Sequence, residues 1–181
     1  MSEITDRVNL VVNDFDARVQ AAPAGSWGNA SPCEGWSARD VVVHVADNLL
    51  RIGGGVLDTE NAPVGADEDI NAAWGRAKTA IAEAMATGDL TKSLPGPFGP
   101  MPAQDLLGRL ITTDVLVHTW DLARAVGGDE KINADVVSGA YSGLKPMDAM
   151  IRMPGVMGPK IDPPAGADEQ TEFLCFLGRT V

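Results

Sequence analysis

The sequence predicts an all-α fold, and three features of its 181 residues lead to this prediction. Apolar residues recur at intervals of three and four over several long segments, which is typical of amphipathic helices. Prolines and glycines cluster between these segments, where they end helices and form loops. No segment shows the alternation of apolar and polar residues that a half-buried strand requires. We therefore expect residues 1–181 to form a single domain built as a helical bundle.

The first two helices are predicted from apolar spacing and from capping residues. The first covers about residues 4–21 and stops before Pro23, which cannot continue a helix. The second begins after Ser37, because serine followed three residues later by Asp40 forms a short version of the capping box. Three consecutive glycines at positions 53–55 are expected to end this helix.

The rest of the chain contains two further long helices and shorter ones near its end. The third main helix is predicted over residues 67–87. Four prolines in residues 94–102 exclude a helix or a central strand there, because proline fixes φ and lacks an N–H donor. Pro102 suits the first turn of a fourth helix, which continues to Val126. Additional helices are predicted over residues 133–149 and 168–177.

Charge and composition exclude several classes of protein. The net charge is −11, so nucleic acids and anionic membrane surfaces would repel the chain, and a small molecule or a protein is the expected partner. No run approaches the roughly 18 apolar residues of a membrane span. The first 20 residues lack the apolar core of a signal peptide, and two cysteines do not suggest a disulfide framework. A cytoplasmic location is therefore expected.

Both histidines of the chain occur in the same local pattern. Residues 40–47 read DVVVHVAD and residues 114–121 read DVLVHTWD, so each histidine follows one aspartate by four residues and precedes another by three. On a helix these three positions lie on one side, beside the apolar stripe. Acids and imidazoles against a core are costly unless they are paired, hydrogen-bonded or bound to a metal.

This repeated pattern suggests a metal site. Imidazole and carboxylate groups together are typical ligands of zinc, nickel and ferrous iron. The site would contain His44, His118 and one carboxylate, with Asp114 better placed than Asp121 because it lies one helical turn from His118. The alternative is that each pattern is a surface ion pair worth a few tenths of a kcal/mol. Other aspartates of the patterns are candidates for orienting the imidazoles: Asp121, Asp47 and Asp40.

Four further residues are candidates for a role near this site. Trp36 and Trp120 are candidates for lining a ligand pocket, with packing in the core as the alternative. Arg39 would bind a substrate carboxylate, or else lie on a solvated helix face. Cys33 is expected to pack beneath Trp36, since no histidine near it in sequence would activate it as a nucleophile. The sequence assigns no catalytic residue.

Three stretches resemble a known family. Residues 31–44, SPCEGWSARDVVVH, resemble the entry to the second helix of DinB-like, mycothiol-dependent maleylpyruvate isomerase metal-binding domains. Residues 115–125, VLVHTWDLARA, resemble the helix of the same family with the pattern V-H-x-W-D-L-A-x-A. Residues 173–179, FLCFLGR, are similar to the ending of an actinobacterial branch of uncharacterised metal-binding proteins. The resemblance extends over nearly the whole chain.

The resemblance implies a DinB-type four-helix bundle that holds one divalent ion through His44, Asp114 and His118, with zinc the first choice and nickel the second. Relatives often carry glutamate or histidine at the position of Asp114. It also implies mycothiol, a low-molecular-weight thiol, as cofactor, and homodimers are frequent among relatives. The implied activity is transfer or isomerisation, in which a metal-bound thiolate attacks an electrophilic substrate. The alternative is a non-enzymatic, metal-dependent binding or stress-response module.

Overall fold

A computed structural model of the chain describes residues 3–97, 99–152 and 157–181. The chain divides into two compact units, Met1–Glu130 and Lys131–Val181. The prediction that residues 1–181 form one domain stays a prediction. Within the described ranges, no helix is both long and apolar enough to cross a membrane.

The first unit is a bundle of four long helices. Helix α2 packs against α3 and α5, and α1 packs against α5 and α3, so the four helices enclose a common core. Phe15 and Trp74 meet in this core with ring centroids 4.8 Å apart, and the indole N–H of Trp74 donates to Asp16. The predicted all-α bundle is confirmed. The long helices are α1 (Glu3–Ala21), α2 (Ala38–Leu57), α3 (Ile70–Thr87) and α5 (Thr112–Val126).

Helix α2 begins as predicted but continues beyond its predicted end. The Ser37 hydroxyl accepts a hydrogen bond from the backbone N–H of Asp40, whose carboxylate accepts from the backbone N–H of Ser37, so both parts of a capping box are present. The prediction that the glycines at 53–55 end the helix is wrong. A β-carbon on Gly53 would lie 2.9 Å from the carbonyl oxygen of Ala80 in α3. Glycine at this position therefore allows α2 and α3 to pack closely.

The connection from α3 to α5 is irregular. A two-residue antiparallel pairing of β1 (Ser93–Leu94) with β2 (Met101–Pro102) spans the proline-rich stretch. A single helical turn, α4 (Ala103–Asp105), and a π-helical segment (Leu106–Ile111) then lead into α5. The fourth predicted helix is therefore present. Its π-helical segment is wider than an α-helical turn and contains an extra residue, which changes the direction of the side chains after it.

The second unit contains the additional C-terminal helices. These cover α6 (Ala134–Leu144), a 3₁₀ turn (Lys145–Met147), α7 (Asp148–Ile151) and α8 (Glu169–Phe176). Pro146 lies in the 3₁₀ turn, because proline supplies no N–H to continue α6. A kink or frayed end at Pro146 is what this proline predicts for the helix over 133–149, and the helix is interrupted there. The final helix is confirmed within one residue at each end.

Candidate metal centre

Two helices of the first unit carry the aspartates and histidines of the repeated pattern. Helix α2 carries His44 in its N-terminal half, and α5 carries Asp114 in its first turn, with His118 one turn later. The two helices pack against each other, so residues 70 positions apart in sequence become neighbours. Among the described residues, three possible ligand atoms lie within 4.8 Å of one another, on His44, Asp114 and His118.

The separations between these atoms fit a tetrahedral ion. Oδ1 of Asp114 is 3.2 Å from Nε2 of His44 and 3.5 Å from Nε2 of His118. Zinc bonds to nitrogen or oxygen ligands of about 2.0–2.1 Å at tetrahedral angles place neighbouring ligands about 3.3 Å apart. The Asp114 side chain is therefore long enough to bring an oxygen between the two imidazoles. A tetrahedral ion held by these three side chains would keep one coordination position for water or substrate.

Asn48 adds an amide to the same cluster. Its Nδ2 lies 3.2 Å from Nε2 of His44 and 3.2 Å from Oδ2 of Asp114. Asn48 follows His44 by one turn of α2, so both side chains point in the same direction. Asn48 lies outside the repeated pattern of aspartates and histidines, so the sequence did not point to it. Its amide donates to the carboxylate that faces both imidazoles.

Trp36 covers the two imidazoles. Its ring centroid is 4.9 Å from that of His44 and 5.9 Å from that of His118, and it stacks on His118 with an interplanar angle of 22°. Trp36 therefore contacts both imidazoles, and its role in lining a ligand pocket stays a prediction. Trp120 lies elsewhere: it is fully buried in the core, and the Arg124 guanidinium lies 4.9 Å from its ring centroid. Core packing, the alternative interpretation, is what the structure shows for Trp120.

His118 is held from the other side of its ring by Asp121. Nδ1 of His118 lies 2.9 Å from Oδ2 of Asp121, and the Asp121 side chain is 0% exposed. A carboxylate that accepts a hydrogen bond from one ring nitrogen directs the other nitrogen toward a metal. Sγ of Cys33 lies 3.3 Å from the same oxygen, Oδ2 of Asp121. The sequence did not predict this contact of the Cys33 thiol with a buried carboxylate, and packing of Cys33 beneath Trp36 stays a prediction.

The charges in this cluster depend on one another. Burial alone would raise the pKa of Asp114, but the charge of His118 and hydrogen bonds to His118 and His44 hold that pKa well below its usual range. Burial would lower the pKa of His118, yet the charge of Asp114 and hydrogen bonds to Asp114, Asp121 and Cys33 raise it well above its usual value. Without an ion, the buried carboxylates therefore favour the protonated form of His118.

Three sequence-predicted residues have other roles. Asp40 caps α2 through Ser37 and is exposed. Asp47 accepts a 2.7 Å hydrogen bond from the backbone N–H of Val64 and so fixes the loop after α2. The interpretation of these two aspartates as acceptors for the imidazoles is wrong, since α2 directs them to its cap and to that loop. The guanidinium of Arg39, predicted to bind a substrate carboxylate, instead donates hydrogen bonds to backbone carbonyls of that loop.

A groove with a volume of about 690 Å³ runs beside the second half of α2. Arg51, which lines it, lies two turns beyond His44 on the same helical side, and its Nη2 is 3.5 Å from Oδ1 of Asn48. Asn48 in turn contacts His44 and Asp114. Arg51 and Asn48 therefore connect the groove to the cluster, whose own side chains do not line it; the lining also includes Asp47, Leu50, Gly54, Thr59, Glu60 and Asn61.

Comparison with known families decides the relationship of the chain. Residues 8–123, which include His44, Asp114, His118 and most of the bundle, match the mycothiol maleylpyruvate isomerase N-terminal domain. The chain belongs to this family. Membership agrees with the resemblance found in the paired motifs. The family match ends before α6, so it extends over the bundle unit and not over the C-terminal helices.

Individual proteins and solved structures are also similar to this chain. Two uncharacterized proteins of Mycobacterium tuberculosis, Rv0738 of strain H37Rv and MT0763 of strain CDC 1551, are each 28% identical over 174 residues, 92% of both chains. The crystal structure of a mycothiol-dependent maleylpyruvate isomerase matches with a TM-score of 0.61 at 14% identity, covering 82% of this chain and 72% of that one. A point mutant of that isomerase gives 0.60 with 83% and 73% coverage. At this identity, the structural match demonstrates a common fold.

Proposed function

We propose that the protein binds a divalent metal ion through His44, Asp114 and His118 and acts as a thiol-dependent transferase or isomerase. The mutual distances of the three ligand atoms carry the metal part of this proposal, because they suit a tetrahedral ion. Zinc is the first candidate and nickel the second, since both accept imidazole and carboxylate ligands. When bound, the ion would lower the pKa of a coordinating thiol and so favour its thiolate.

Each residue at the metal site has a defined role in this proposal. His44 and His118 supply neutral imidazole nitrogens, and Asp114 supplies an anionic oxygen between them. Asp121 accepts the Nδ1–H hydrogen bond of His118 and leaves Nε2 available to the ion. The half-buried Trp36 ring covers both imidazoles and limits access of water from that side.

Mycothiol is the proposed thiol, because the chain belongs to a family whose name refers to it. The groove beside α2 is connected to the cluster through Arg51 and Asn48, and its amide and charged side chains offer hydrogen bonds to a polar ligand. The net charge of −11 opposes nucleic acids and anionic membranes, so a small thiol and an electrophile are the proposed partners. The cytoplasmic location and the homodimer stay predictions.

Metal content is the first test. Tag-free protein is purified without chelators, and its zinc and nickel content is measured by elemental analysis. We expect close to one ion per chain, with loss of the ion in His118→Ala and Asp114→Asn. The exposed Asp67→Asn serves as the matched control, because it makes the same chemical change away from the cluster. Less than about a tenth of an ion per chain, with no rise in melting temperature on adding zinc, would refute the metal proposal.

A second test separates the enzyme from the binding module. Metal-loaded protein is incubated with mycothiol and a panel of electrophiles, and products are measured by mass spectrometry. Turnover that requires both mycothiol and an intact His118 supports the enzyme. Mycothiol binding measured by calorimetry, without turnover of any electrophile, favours a metal-dependent binding module. A metal-loaded protein that does neither contradicts both functions.

A further inference from the structure

One turn of the chain, residues 31–36, carries two side chains that lie beside the metal cluster. The backbone N–H of Trp36 donates to the carbonyl of Cys33, and Gly35 between them has φ +77°, a conformation that glycine adopts without strain. The hydroxyl of Ser31 accepts from the backbone N–H of Cys33 and fixes the start of the turn. Trp36 leaves this turn toward the imidazoles, and Cys33 leaves it toward Asp121.

The thiol of Cys33 is the outer member of a chain of contacts that ends at the cluster. Its Sγ lies 3.3 Å from Oδ2 of Asp121, and the same oxygen lies 2.9 Å from Nδ1 of His118. Nε2 of His118 faces Asp114 on the opposite side of the ring. The Cys33 thiol donates to Asp121, and an ionised Asp121, being an acceptor only, would also accept from the Nδ1–H of His118.

We propose that Cys33 is a positioning residue for the metal centre: its S–H hydrogen bond holds the Asp121 carboxylate in the orientation that directs Nε2 of His118 to the ion. This inference rests on the proposed metal function. The Asp121 carboxylate is fully buried, so bulk water cannot replace a donor that it loses. Removal of the thiol therefore lets the carboxylate rotate, and His118 loses its fixed direction.

Direct coordination by sulfur is the competing role for Cys33. Its Sγ, the nearest Asp121 oxygen and a nitrogen of His118 all lie within 4.8 Å of one another, which is close enough for a metal. Such an ion would displace the Nδ1–H of His118 and the thiol proton, and would lie beside the ion at His44 and Asp114. The hydrogen bonds already made by Asp121 and its complete burial favour the positioning role.

The first experiment compares zinc affinity in Cys33→Ala and Cys33→Ser by competition with a chromogenic chelator at several pH values. Outer hydrogen-bond partners of metal ligands typically change affinity 10- to 100-fold, and we expect about a tenfold loss in Cys33→Ala. Cys33→Ser keeps a donor of similar size, so its affinity should stay within about threefold of wild type. Cys175→Ala, at the other cysteine, is the matched control and should leave affinity unchanged.

The second experiment needs no metal. The chain contains only two histidines, so ¹⁵N-histidine labelling gives two imidazoles that His44→Ala distinguishes. In metal-free protein we expect the Nδ1–H proton of His118 to exchange with water about tenfold faster in Cys33→Ala than in wild type, and at the wild-type rate in Cys33→Ser. If wild type binds no metal, the proposed function fails, while this measurement still decides the positioning role.

Three results would overturn the inference. Wild-type affinity and wild-type proton exchange in Cys33→Ala would show that the thiol contact is not needed. Equal losses in Cys33→Ala and Cys33→Ser would show that packing, and not hydrogen bonding, matters. A sulfur-to-cobalt charge-transfer band in Co²⁺-loaded wild type that is absent in Cys33→Ser would show that Cys33 is a ligand.

Discussion

Oδ1 of Asp114 lies 3.2 Å from Nε2 of His44, although 70 residues separate them in the chain. This pair joins α2 to α5, and His118, one turn beyond Asp114, completes the cluster. An anionic oxygen between two imidazoles attracts a cation, and in the metal-free state the same negative charge raises the pKa of His118. The relationship therefore links the packing of two helices to the proposed metal function.

Asp114→Asn should abolish tight zinc binding. The substitution keeps the shape of the side chain and removes the negative charge that lies between the imidazoles. Zinc at about 100 times its dissociation constant would stabilise wild type by about 2.7 kcal/mol, and this gain should vanish in the variant. Thermal denaturation with and without zinc measures the difference. An unchanged gain in Asp114→Asn would exclude Asp114 as a ligand.

Asp121→Asn should weaken zinc binding 10- to 100-fold without abolishing it. The amide is a weaker acceptor than a carboxylate for the Nδ1–H of His118, so the imidazole loses orientation and basicity. Competition with a chelator gives the ratio of the affinities. Asp67→Asn, at an exposed position, is the control and should bind zinc as wild type does. Equal affinity of Asp121→Asn and wild type would contradict the orienting role.

Gly53→Ala should destabilise the bundle by about 1–3 kcal/mol, because the added methyl group would meet the Ala80 carbonyl 2.9 Å away. Gly75→Ala in α3 is the matched control, since nothing lies within 4 Å of its β-carbon position. Alanine has the higher helix propensity, so the control should be stabilised by about 0.5–1 kcal/mol. Urea unfolding of the two variants measures both effects, and the same sign for both would argue against close packing at Gly53.

The stability of the bundle should depend on Asp16 at low pH. Burial would raise the pKa of this carboxyl, but hydrogen bonds from Lys78, Trp74 and Gln20 lower it overall. A lowered pKa in the folded state contributes stability above the unfolded pKa of about 3.8, which is lost as the pH falls through the folded value. The difference in unfolding free energy between wild type and Asp16→Asn should therefore be constant near neutral pH and shrink below about pH 4. A difference that stays constant down to pH 2 would contradict this.

The helices of the bundle could be predicted because their signals are local. Apolar spacing and the Ser37 capping box lie within a few residues of the structure they specify, so α1 and the start of α2 are confirmed within a residue or two. The end of α2 could not be predicted from local signals. Glycine has a low helix propensity, so glycines at 53–55 predict a helix end. The close approach of Ala80 in α3 explains why α2 nevertheless contains glycine at position 53.

The repeated frame around His44 and His118 is a property of the sequence alone, and it led to the three residues that the fold brings together. The sequence did not distinguish the roles of the remaining aspartates of that frame; only the tertiary structure showed which of them contacts a histidine. Asp121 lies beside His118 on a buried part of α5, whereas its counterpart Asp47 on α2 binds the backbone of the loop at Val64. Cys33 reached Asp121 across 88 residues of sequence because a glycine turn aims its thiol inward. Helical periodicity fixes which side chains share a face, but only the packing of one helix against another decides which partner that face meets.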